Sequence, residues 1–115
     1  MASLSTHVLD TAAGRPAPGV TVRIEQLDEA SGSWRTLGEG VTDEDGRVRE
    51  LLPPGADLAP GIYRMHFETG AYFAACGVEG FYPYADVVFR VREPGSHYHV
   101  PLLLSPFGYT TYRGS

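Results

Sequence analysis

The stretch VTVRIEQL, Val20–Leu27, alternates with a period of two. Val20, Val22 and Ile24 fall on one face; Thr21, Arg23 and Glu25 fall on the other. Successive strand side chains point to opposite sides of a sheet, so this pattern reads as a strand with one buried and one solvated face. The flanking sequence extends the reading. DEASGS is a hairpin loop, and WRTLGEGV (Trp34–Val41) returns as a second strand. TDEDG (Thr42–Gly46) is a tight acidic turn that leads into RVREL, a further short strand. Upstream, LSTHVL (Leu4–Leu9) alternates, with Leu4, Thr6 and Val8 opposite Ser5, His7 and Leu9, before the turn TAAGRPAPG. Downstream, LPPGADLAPG leads to IYRMHFE (Ile62–Glu68), then to TGAYFAACG, the one short helical segment. YADVVFRV (Tyr84–Val91), HYHVPLLLS (His97–Ser105) and the tail YTTYR complete about eight short strands. Turn signals at this regular spacing, with no long amphipathic helix, predict an all-β sandwich or barrel.

The totals narrow the function classes. A chain of 115 residues forms one domain, 1–115. Its net charge of −5 argues against nucleic acid or an anionic membrane as partner. All nine basic residues are arginine. Without lysine there is no Schiff-base chemistry, whereas arginine suits bidentate recognition of flat, carbonyl-rich groups. Cys76 stands alone and forms no internal disulfide. MASLSTHVLD has no apolar signal region and no apolar run approaches membrane-spanning length, so the cytoplasm is the expected location.

Several residues invite chemistry. His97 and His99 of HYHV share one strand face, and His7 sits on the polar-leaning face of the first strand. Three histidines invite a zinc reading. Against it, Arg47 or Arg113 in the site would repel a divalent cation, and no acid or thiol stands at matching spacing. No metal and no cofactor is expected. The acidic turn lacks the ligands and closing glutamate of a calcium loop. His66 reads as an ordinary half-buried histidine and Cys76 as a packing residue. Pro101 interrupts HVPLLL; because proline donates no ladder bond, it predicts an edge or bulge beside His99.

Three stretches carry a resemblance that spans nearly the whole chain: LSTHVLDTAAGRPAPGV, FYPYADVVF and HYHVPLLLSPFGYTTYRGS. They resemble the 5-hydroxyisourate hydrolases, the transthyretin-related family of urate breakdown, whose hallmark is the ending Tyr-Arg-Gly-Ser. The resemblance implies a transthyretin-like (prealbumin-like) two-sheet sandwich with one short helix. It implies hydrolysis of 5-hydroxyisourate to 2-oxo-4-hydroxy-4-carboxy-5-ureidoimidazoline in a homotetramer, a dimer of dimers. It implies catalytic roles for His7, Arg47, His99 and Ser115, and substrate binding by Arg47, Tyr112, Arg113, Gly114 and Ser115. On this reading the tail is the last strand and delivers Arg113, Gly114 and Ser115 into the site. His99, supported by His7, takes the proton from water, and Arg47 clamps the substrate and stabilises the oxyanion. Which histidine is the base stays open at this point. The alternative is a transthyretin-type small-ligand carrier without catalysis.

Overall fold

The computed structural model of the protein describes residues 2–114. Its elements run in the order β1 (Ser3–Ser5), β2 (Val8–Asp10), β3 (Arg15–Pro16), β4 (Thr21–Asp28), β5 (Ser33–Val41), β6 (Gly61–Phe67), α1 (Thr69–Ala75), β7 (Ala85–Val91), β8 (His97–His99), β9 (Leu102–Ser105) and β10 (Gly108–Thr111). One four-stranded sheet has the order β5-β4-β6-β7 and is antiparallel throughout. The other has the order β10-β9-β2-β3, with β2 and β9 parallel. The parallel pair β1 and β8 continues its central register: Ser5 pairs with His99, and Val8 pairs with Leu102.

The two inner faces meet in one core. Val8, Leu102 and Leu104 come from one sheet; Val22, Ile24, Tyr63, Met65 and Phe67 come from the other. Each is at most 1% exposed. Burial of one such side chain contributes roughly 1.5–3 kcal/mol, so the alternating apolar residues are what hold the sheets together. The two sheets form the expected transthyretin-like sandwich. Helix α1 closes one end by burying Tyr72 and Phe73. The Tyr72 hydroxyl donates to Asp10 Oδ2 at 2.8 Å, which ties the helix to β2. Burial, and then the Asp10 carboxylate, push the Tyr72 phenol up and keep it a donor.

The strand count differs from the expected eight for local reasons. Two expected strands are each broken in two, Leu4–Leu9 at Thr6–His7 and His97–Ser105 at Val100–Pro101. Arg15–Pro16 adds a two-residue strand against β2. RVREL is not a strand. It lies across Gly38 and Gly40 of β5, where any Cβ would collide with Leu51 and Val48. Pro101 is buried and lies inside the sheet, not at an edge. Val100 and Leu102 donate to the Ser5 and His7 carbonyls at 3.0 and 2.9 Å, so position 101 faces the β10 side. The missing proline donor falls where β10 stops, and the Pro101 carbonyl instead accepts from Thr111 Oγ1 at 2.8 Å.

Two polar groups expected on solvated or half-buried faces are buried. Glu25 is 6% exposed and receives Arg64 Nε at 2.9 Å and a second guanidinium nitrogen at 3.1 Å. Arg64 lies 4.3 Å from the Trp34 ring centroid, so the ion pair is roofed by an aromatic face. His66 sits between Asp86 Oδ1 at 2.7 Å and Glu68 Oε1 at 2.6 Å, joining β6 to β7. No helix among the described residues is long and apolar enough to cross a membrane.

Candidate active site

The acidic turn is a device for placing Arg47. Asp43 Oδ1 accepts from the Asp45 and Arg47 amides at 2.9 and 3.0 Å, and the Asp43 amide donates to the Arg47 carbonyl at 2.8 Å. The Arg47 amide, foremost among its partners, holds the Asp43 carboxyl below its usual range. Gly46 has a φ of 76°, and a Cβ there would strike the Val8 carbonyl. With no side chain, Gly46 approaches β2 closely and accepts from the Val8 amide at 2.8 Å. The next residue, Arg47, therefore bridges His7 in antiparallel pairing. Among the described residues no carboxylate pairs with the Arg47 guanidinium, which is exposed.

His99 arrives from β8. It is half-buried, and its ring lies on the same sheet face as Ser5, its partner across the parallel pair. Burial first, then the positive charges of Arg47, His97 and His7, hold its imidazole below the ordinary histidine value; a backbone hydrogen bond with Ser5 acts the other way. His7, Arg47 and His99 thus form one electrostatic group. The tail joins them. The Gly114 amide donates to the His99 carbonyl at 2.8 Å, and these residues form an antiparallel bridge. A Cβ on Gly114 would land on the His99 ring, so only glycine lets the chain end lie against that imidazole. Ser115 lies outside the described residues.

The structure does not bring every expected site residue to this face. Across the β9–β10 register, Tyr112 and Gly114 align with Pro101 and His99, on the His99 side. Arg113 alternates to the opposite side, where its guanidinium carbon stands 4.6 Å from the Tyr98 ring centroid. There it borders, with His99 and Tyr112, a groove of about 320 Å³ between the tail and Val87–Arg90 of β7. Arg113 thus packs on Tyr98 while bordering the same groove as His99.

Ser3 and Ser5, to which sequence reasoning assigned no role, and His97, weighed there only as a zinc ligand, are drawn into the site. Ser5 Oγ lies 2.7 Å from His99 Nδ1 and 2.8 Å from His97 Nε2; Ser3 Oγ lies 2.6 Å from His97 Nδ1. The alternation of LSTHVL places Ser5 and His7 on one face. The parallel register with β8 that brings in the histidines is long-range and leaves no local signal.

The chain matches the family model described as "HIUase/Transthyretin family" over residues 4–114. It is 49% identical over 112 residues to 5-hydroxyisourate hydrolase of Salmonella dublin, covering 97% of this chain and 80% of that protein. The solved structure of Klebsiella pneumoniae 5-hydroxyisourate hydrolase superposes with a TM-score of 0.85 at 39% identity, covering 100% of this chain and 94% of that one. Transthyretin from Sparus aurata superposes with a TM-score of 0.89 at 38% identity, covering 96% and 95%. The fold alone therefore does not separate enzyme from transthyretin, but with the full-length match it places the lineage: the chain belongs to the HIUase/Transthyretin family.

Proposed function

We propose that this protein is a cytoplasmic 5-hydroxyisourate hydrolase that acts as a single domain within a homotetramer. It opens the six-membered ring of its purine-derived substrate at an amide bond, giving 2-oxo-4-hydroxy-4-carboxy-5-ureidoimidazoline. The observation that carries this reading is the convergence of His7, Arg47, His99 and the Gly114 backbone on one sheet face. A ligand carrier needs no such group.

The chemistry follows from the charges. A histidine held below its ordinary pKa is a free imidazole at neutral pH, ready to take a proton from water. His99 is that group, and His7 beside it supports the same proton transfer. Among the described residues no carboxylate pairs with Arg47, and its guanidinium suits binding of the flat substrate and stabilisation of charge on the attacked oxygen. Tyr112 and Gly114 align on the same face. A positioned base contributes typically about 10²–10⁴-fold and an oxyanion donor a similar factor. Water is the nucleophile, so the scheme needs neither a covalent intermediate nor a cofactor. The test is the ultraviolet decay of freshly made 5-hydroxyisourate with and without the protein. Catalytic acceleration is expected; a decay rate that the protein leaves unchanged would favour the transthyretin-type carrier.

A further inference from the structure

We propose that Ser3, His97 and Ser5 form a hydrogen-bond wire to His99 that sets His99 Nε2 as the catalytic base and exchanges its other proton with solvent. The inference rests on the hydrolase reading of the same site.

The geometry is a continuous chain. It runs from Ser3 Oγ to His97 Nδ1 at 2.6 Å, from His97 Nε2 to Ser5 Oγ at 2.8 Å, and from Ser5 Oγ to His99 Nδ1 at 2.7 Å. One end is the half-buried His99; the other, at His97 and Ser3, is exposed. A hydroxyl donates one hydrogen and accepts others, and a neutral imidazole donates from one nitrogen and accepts at the other. Two directions of bonding therefore satisfy every link. In the first, His99 Nδ1–H donates to Ser5, Ser5 donates to His97 Nε2, and His97 Nδ1–H donates to Ser3. His99 Nε2 then carries a free lone pair. In the second, each link is reversed, Ser5 donates to His99 Nδ1, and His99 Nε2 carries the hydrogen.

Reaction couples the two states. In the first state His99 Nε2 takes a proton from the attacking water, whose hydroxide oxygen bonds the amide carbon. The Nδ1 proton passes to Ser5 Oγ as the Ser5 hydroxyl proton passes to His97 Nε2. His97 gives its Nδ1 proton to Ser3, and Ser3 releases one to solvent. The chain is then in the second state, neutral, with Nε2–H beside the tetrahedral intermediate. That hydrogen goes to the departing ring nitrogen as the C–N bond breaks, and one proton re-enters through Ser3 to restore the first state. One water is consumed, and the proton released to solvent is returned. Because burial, and then the charges of Arg47, His97 and His7, disfavour an imidazolium at His99, a route that avoids holding that charge lowers the cost of the base step.

Ser5 and His97 are positioning residues, so the test reads tautomer and pH dependence together with rate. Nitrogen-15 spectra of wild-type histidines above their titration range should show the hydrogen of both His97 and His99 on Nδ1. Ser5→Ala should shift His99 towards the Nε2–H form, and Ser5→Thr should restore the wild-type pattern. On 5-hydroxyisourate, Ser5→Ala should lower kcat by about ten- to a hundredfold with KM little changed, with recovery in Ser5→Thr. His97→Asn should lower kcat and move the acidic limb of kcat/KM upward in pH, because it removes one of the charges that hold His99 down. A hydrogen on His99 Nε2 in the wild type, or a Ser5→Ala variant with wild-type tautomer and kcat, would overturn the wire. The spectra decide it even if the protein leaves 5-hydroxyisourate intact, an outcome that would sink the hydrolase reading separately.

Discussion

At Gly114 the chain passes against the His99 imidazole with no room for a β-carbon. Gly114 adds no side chain to the hydrophobic core, so its substitution tests function apart from stability. Gly114→Ala should cost about a hundredfold or more in turnover, since ångström-scale misplacement of site groups has that effect, while thermal unfolding changes little. Wild-type turnover in that variant would show that the tail does not pack on the working histidine. His99 itself makes a pH prediction. A lowered pKa means that more acid is needed to protonate the base, so the rate persists to lower pH. The acidic limb of kcat/KM should therefore lie below about 6.5, the ordinary histidine value, in a pH–rate profile. A limb above that value would contradict the assignment. At this scale the sequence was legible in part. His7, Arg47 and His99 stand out by residue type and by resemblance, and they do converge. Arg113 could not be placed the same way. Its direction depends on a register that continues across the Pro101 gap, and one step in register turns a side chain to the other face.

The segment Val20–Leu27, most of β4 and the residue before it, carried its fold assignment openly: Val20, Val22 and Ile24 are buried as their alternation requires. Glu25 defied it. The register of β4 against β5 shifts between Ile24 and Glu25, and the carboxylate is roofed by Arg64, which Trp34 covers in turn. A buried carboxylate is legible only when its partner two strands' length away is known to be its neighbour. The pair makes a stability prediction. The hydrogen bonds from Arg64, foremost, hold the Glu25 carboxyl below its usual value. A carboxyl depressed in the folded state stabilises the fold above its unfolded pKa, and that contribution is lost as pH falls through the folded value. Glu25→Gln should therefore destabilise the protein by about 1–3 kcal/mol near neutral pH, with the difference shrinking in acid below about pH 4. Denaturant unfolding at both pH values checks it; a penalty that stays constant into acid would mean that the charge is irrelevant. The splitting of Leu4–Leu9 and His97–Ser105 was illegible for a related reason. Both breaks arise where these two segments run in parallel, and local alternation says nothing about that partnership.

For the whole molecule, exposed surface points to assembly. β7 and β10 are the edge strands nearest the tail, and Val88, Tyr109 and Tyr112 are 58, 40 and 56% exposed there. Unpaired edges flanked by apolar side chains seek a partner, and a second copy offers a matching edge. Sedimentation equilibrium at micromolar concentration should give about four times the 12.5 kDa chain mass; a lone 12.5 kDa species would refute the tetramer. The central claim is that a water-activating histidine beside Arg47 makes this family member an enzyme. It is tested most directly by the initial rate of 5-hydroxyisourate loss with wild-type protein and with His99→Ala at equal concentration. Rapid loss is expected with the wild type, and a rate about 10²–10⁴-fold lower for a variant that remains folded and assembled. A wild type no faster than buffer, or a variant as fast as the wild type, would contradict it.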